Sequence, residues 1–98
     1  MDSISLGIHA LVWTGEWNEE RARYAAACTR ACGYDRLEIP LLDSWHIDPV
    51  STRRIMREHG LAVTGNLFHT RDTDITSEDP AVVAAGEERL RRGVELVR

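Results

Sequence analysis

The feature that most constrains this chain is a repeated unit: a short, β-rich apolar run followed by a stretch with helical spacing occurs three times in 98 residues. The first run, Ile4 to Val12, leads into a predicted helix over 18–32. There Tyr24, Ala25, Cys28, Ala31 and Cys32 form an apolar stripe opposite Glu19, Arg23 and Arg30, and Gly33 supplies a C-terminal cap. The second run, Arg36 to Ile39, stops at Pro40. After a loop over 41–47, Asp48 is a good N-cap and Pro49 suits the first position of a helix over 49–59, with Thr52, Ile55, Met56 and His59 as its buried stripe and Gly60 at its end. The third run, Leu61 to Leu67, is followed by a polar loop and a helix over 78–98. Thr76 or Ser77 is its expected cap, Asp79 and Glu78 complement its dipole, and Val83, Gly86, Leu90, Val94 and Val97 form its stripe.

The order βαβαβα predicts an α/β fold with parallel strands, because each helix returns the chain to begin a neighbouring strand in the same direction. Two architectures share that order: an open doubly wound sheet, and the first three β/α units of a (β/α)8 barrel. Three strands cannot close a barrel, and the last helix is still amphipathic at Arg98. The expectation from the residues is therefore a single domain over 1–98, either an open sheet or a partial barrel, that is part of something longer.

Composition narrows the partners. Apolar residues make up 43% and charged residues 29%, with a net charge of −4. The C-terminal arginines Arg89, Arg91, Arg92 and Arg98 alternate with Glu87, Glu88 and Glu95, which describes a solvated helix face and not a nucleic-acid stripe. No apolar run approaches the ~20 residues that span a bilayer, and the N-terminus does not resemble a signal peptide. The expectation is a cytoplasmic protein without nucleic-acid or membrane partners. Cys28 and Cys32, one helical turn apart, are expected to be small buried core residues, in keeping with a reducing compartment.

In parallel α/β folds, ligands bind at the carboxyl ends of the strands. Alternation places His9, Glu38 and Asn66 on the side opposite the apolar, helix-facing set. One polar group per strand near that end suits a small polyol. Simpler readings stand beside this one. A lone strand histidine is commonly a satisfied core residue, and a carboxylate such as Glu38 is costly to bury unless paired, with Arg36 or a lysine beyond these 98 residues as its partner. Trp13 and Trp17 read as hydrophobic wall, although an indole also suits the apolar face of a sugar. His46 and His69 are either metal ligands or surface residues, and a helix-end dipole contact accounts for His59.

The segments "GIHALVWTGEW", "GYDRLEIP", "HGLAVTGN" and above all "DITSEDPAVVAAGEERLRRGVEL" resemble the N-terminal part of the ketose 3-epimerases. These are the D-tagatose/D-psicose (allulose)/L-ribulose 3-epimerase group of the sugar isomerase/epimerase TIM barrels. The resemblance implies four substrate-binding positions. His9 matches a first-strand residue that contacts the sugar, often an aromatic there. Trp17 matches a pocket-wall tryptophan, Asn66 matches a small residue at the end of strand three, and Glu38 matches an inward glutamate that sets pocket polarity. In that family a divalent metal, manganese or cobalt, is held by two glutamates, an aspartate and a histidine of later strands. The two glutamates flank C3 as acid and base, and the reaction passes through an enediolate. None of that set falls within these residues, and of Glu38, His69 and Asp72 only the first is on a predicted strand. The implied protein is a metal-dependent, homo-oligomeric isomerase acting on a ketose, with this chain alone lacking metal and activity. Two other readings stay open: a stand-alone α/β binding module, and another sugar barrel such as hydroxypyruvate isomerase.

Overall fold

The computed structural model describes residues 4–98, in two compact units, one reaching to Asn66 and the other running from Leu67 to Arg98. The first unit holds a parallel three-stranded sheet in sequential order. Its strands are β1 (Gly7–His9), β2 (Arg36–Pro40) and β3 (Ala62–Asn66), and its helices are α1 (Glu19–Ala31) and α2 (Pro49–Glu58). The register pairs His9 with Glu38 and Glu38 with Thr64, while Pro40 lies opposite Asn66. Side chains alternate across a strand, so Leu37 and Ile39 point to the helix side and Glu38 to the other.

Of the run Ile4–Val12 only Gly7–His9 is strand, and Ala10–Val12 coil into a 3-10 turn. The cause is local: His9 Nδ1 accepts the Leu11 backbone N–H at 3.1 Å, so the histidine caps the turn that ends its own strand. A second 3-10 turn, Asp43–Trp45, occupies what the sequence predicts as loop.

The core is built from Leu37 and Ile39 of β2, Ile55 and Met56 of α2, Ala22, Ala25 and Ala26 of α1, and Ala10, Leu61, Trp17 and Trp45. The buried face of α1 is therefore rotated from the expected stripe. Tyr24 and Cys32 are exposed, Cys28 is half-buried, and alanines with Thr29 face inward. The physical reason is close approach: three methyl side chains let the helix backbone lie near the sheet, where a tyrosine does not fit. Thr29 is tolerated inside because its hydroxyl donates to the Ala25 carbonyl at 2.7 Å and accepts from Trp13 Nε1 at 3.0 Å. Helix α2 follows its pattern, with Asp48 Oδ1 accepting from the Val50 N–H and Thr52, Ile55 and Met56 buried. His59 Nδ1 lies 2.8 Å from the Ile55 carbonyl at its end.

Across the solvent side of α1 and α2 run four linked ion pairs: Arg23–Glu58 at 2.8 Å, Arg54–Glu19 at 2.7 Å, Arg23–Glu19 at 3.3 Å and Arg54–Glu58 at 4.0 Å. Hydrogen bonding to Arg23 holds the Glu58 carboxyl below its usual range, and the same contact raises Arg23. Exposed pairs of this kind are screened by water and contribute little, so the apolar core dominates.

In the second unit a 3-10 turn, Arg71–Thr73, precedes α3 (Pro80–Val97). The helix starts later than Thr76 or Ser77 suggests, and Asp79 is its cap, accepting from the Ala81 N–H at 2.9 Å. The two expected caps serve the preceding turn instead. Thr76 gives its N–H and hydroxyl to Asp74 Oδ1 at 2.9 and 2.6 Å, and Ser77 Oγ accepts from the Asp79 N–H at 3.1 Å. The buried positions of α3 are Gly86 and Gly93; of its expected stripe, Leu90, Val94 and Val97 are exposed. Gly86 is packed so closely on the Thr73 carbonyl and Ile75 that a Cβ has no room there. Among the described residues, no helix is long and apolar enough to cross a membrane.

Candidate functional site

His9 and Asn66 are the last residues of β1 and β3, and Glu38 stands midway along β2 between them. The three side chains meet on the face away from the core. His9 Nε2 lies 3.1 Å from Asn66 Oδ1 and 3.6 Å from Glu38 Oε1. A backbone N–H can only donate, so the Leu11 contact requires a lone pair on His9 Nδ1. In the neutral ring the proton is then on Nε2, and that N–H donates to the Asn66 carbonyl oxygen. Glu38 lies beyond hydrogen-bond range of the ring and is a charge neighbour only.

The partner expected for Glu38 is different. Arg36 reaches the Val63 carbonyl at 3.4 Å, and the recorded neighbour of Glu38 is His9. With its side chain 42% exposed, Glu38 does not bear the desolvation cost of a buried carboxylate. Thr64, next to Glu38 across β2 and β3, is half-buried on the same row. Chemically, the face presents an acceptor at Glu38, an amide at Asn66 and an imidazole held against that amide. Leu11 and Val12, both exposed, add apolar surface just past His9.

Trp17 is not brought to this face. Its indole is buried in the core, stacked on Trp45 with centroids 5.4 Å apart and planes 7° from parallel, and Nε1 donates to Thr52 at 3.2 Å. Trp45, inside the predicted loop, is the residue that the sequence reading missed. Its partner lies far along the chain, so no local pattern announces it. A small cavity of about 60 Å³ beside Trp17 is lined by Asn18, His46, Asp48, Ser51 and Thr52, room for a water or two. His46 adopts a left-handed conformation, φ 44°, that closes the turn after Trp45.

No three His, Cys, Asp or Glu side chains among the described residues converge so as to hold a metal ion. His9 and Glu38 supply two donors on one face; His69 and Asp72 lie in the second unit. The residues present do not by themselves fit the divalent ion that the resemblance implies, since hard cations require several convergent oxygen ligands.

No family model matches the chain. It is 44% identical over 94 residues to the ketose 3-epimerase of Arthrobacter globiformis, covering 96% of this chain and 32% of that protein. It is 43% identical over 94 residues to the L-ribulose 3-epimerase of Methylomonas sp. (strain DH-1), with 96% and 33% covered. Among solved structures, the D-allulose 3-epimerase from Methylomonas sp. in complex with D-allulose superposes with a TM-score of 0.86 at 44% identity, over 93% of this chain and 32% of that one. The chain thus spans about a third of the length of the relatives that it matches. Along nearly its whole length it is similar to the N-terminal third of the ketose 3-epimerases, and its fold is that of the first three β/α units of a (β/α)8 barrel.

Proposed function

We propose that this chain forms the N-terminal part of a metal-dependent ketose 3-epimerase and supplies one wall of its sugar pocket. What carries the reading is the meeting of His9, Glu38 and Asn66 at one face of a parallel sheet, in a chain 44% identical to a ketose 3-epimerase. Glu38 accepts a hydrogen bond from one sugar hydroxyl and Asn66 donates to another, while Leu11 and Val12 offer apolar surface to the sugar's carbon edge. Trp17 shapes this wall from behind, through the core that seats the strands. The metal, and the carboxylates that remove and return the C3 proton, come from later strands, as the resemblance implies. This chain's share is binding and orientation. The free thiols Cys28 and Cys32 suit a cytoplasmic setting, and homo-oligomerisation of the whole enzyme is part of the proposal.

The test is turnover of D-allulose and L-ribulose by the protein that carries this chain, followed by chromatography of the C3 epimers. The reading predicts epimerisation of at least one, with Glu38→Gln raising KM about tenfold to a hundredfold, the loss expected of a hydrogen bond to a charged group. Absence of turnover with both sugars in the metal-loaded wild-type protein contradicts it.

A further inference from the structure

The hydrogen bonds around His9 carry a second conclusion, which rests on the ketose reading. The imidazole is committed at both nitrogens: Nδ1 to the Leu11 N–H and Nε2 to Asn66 Oδ1, each at 3.1 Å. A ring committed in this way has no free donor or acceptor for a sugar. Its effect on Asn66 is directional. With Oδ1 held by the ring the carboxamide is oriented and its donors lie on Nδ2, and among the described residues neither Nδ2 nor the Glu38 carboxylate has a hydrogen-bond partner. A free donor at Asn66 Nδ2 and a free acceptor at Glu38 thus share one face with a ring that uses neither.

We propose that His9 is a positioning residue that fixes the Asn66 carboxamide, so that Asn66 Nδ2 and the Glu38 carboxylate address two hydroxyls of one ketose as a donor–acceptor pair. Without the imidazole the carboxamide is free to turn over. It then presents its oxygen to the sugar in part of the population, and the pairing with Glu38 loses its sense of direction. His9 therefore sets which hydroxyl donates and which accepts, and acts on specificity without touching the substrate.

The experiment separates this role from direct contact. His9→Asn keeps a side-chain oxygen able to accept the Leu11 N–H, as asparagine does at helix caps, but has no nitrogen that reaches Asn66. In the full-length protein, His9→Asn should leave the melting temperature nearly unchanged and raise KM for D-allulose about tenfold with kcat little altered, the pattern of a lost uniform binding interaction. Asn66→Ala should raise KM at least as much, and adding His9→Asn to it should change nothing further, because His9 acts through Asn66. Additive effects of the two substitutions overturn the proposal and make His9 a direct sugar contact. Equal KM values for His9→Asn and wild type overturn it as well. Long-range 1H–15N spectra of protein labelled with 15N-histidine test the positioning without any sugar. A ring protonated on Nε2 at neutral pH is the expected result, and protonation on Nδ1 refutes the hydrogen-bond assignment. If no ketose is turned over, the function reading falls, and that spectrum still decides whether His9 holds Asn66.

Discussion

His9 Nε2 and Asn66 Oδ1 lie 3.1 Å apart although their strands are not neighbours; β2 runs between them. Adjacent strands are ~4.8 Å apart, so the backbones of β1 and β3 are separated by ~10 Å. Side chains of ordinary length meet over the middle strand only if the sheet is concave toward them. In (β/α)8 barrels, interior layers are filled by side chains from alternate strands. The His9–Asn66 bond is that relation in miniature. It marks the His9 face as the barrel interior and leaves Glu38, on the intervening strand, beside the junction.

Substituting Trp17 should damage stability first. The ring is buried, stacked on Trp45 and hydrogen-bonded to Thr52. Trp17→Ala is expected to cost ~3–5 kcal/mol, whereas Trp17→Phe, which keeps a stacking ring and loses the Nε1 bond, should cost ~1–2 kcal/mol. Chemical denaturation of both variants checks the ranking. A Trp17→Ala protein with wild-type stability and a large rise in KM would return this residue to the pocket wall.

Two glycines make a contrasting pair. A Cβ at Gly86 meets the Thr73 carbonyl and Ile75, so Gly86→Ala should destabilise by ~1–3 kcal/mol as the turn before α3 is pushed off the helix. Gly15 has open space around it and no positive φ, so Gly15→Ala should be neutral within ~0.5 kcal/mol or slightly stabilising. Thermal melts of the two variants side by side test this difference.

Acid should act through specific carboxylates. Hydrogen bonds from the Thr76 hydroxyl and N–H hold Asp74 below its ordinary value of 3.8, and the hydrogen bond from Arg23 holds Glu58 below 4.5. Both folded-state values are depressed, so their stabilisation is fully present above the unfolded values and is lost as pH falls through the folded ones. Unfolding free energy should therefore decline as pH drops below about 4.5, Glu58 acting first. Asp74→Asn should flatten the part of that decline below 3.8 when urea midpoints are compared from pH 6 to pH 3. An unchanged slope in Asp74→Asn would show that its contacts with Thr76 carry no charge-dependent stability.

Much of this was legible in the sequence because it is local. Asp48 and Pro49 begin α2, Gly33 and Gly60 follow helix ends with positive φ, and the parity of His9, Glu38 and Asn66 places them on one face. What escaped notice depends on contacts distant in the chain. The strand run from Ile4 breaks at His9 because the side chain caps the next turn, a choice that residue type alone does not announce. The rotated face of α1 follows from how close the sheet lies, and the Trp17–Trp45 stack joins a helix approach to a loop 28 positions later (45 − 17). The resemblance offered Trp17 as a pocket wall, but its burial is decided by Thr52 and Trp45, neither of which lies near it in sequence.

The most direct test of the account is a crystal structure of the full-length protein with D-allulose. The account predicts the sugar over the carboxyl ends of β1 to β3, with one hydroxyl at hydrogen-bond distance, ~2.6–3.0 Å, from a Glu38 carboxylate oxygen and another ~2.8–3.2 Å from Asn66 Nδ2. His9 should still be bonded to Asn66 Oδ1 and should not touch the ligand. A sugar bound with neither Glu38 nor Asn66 in contact would contradict the account.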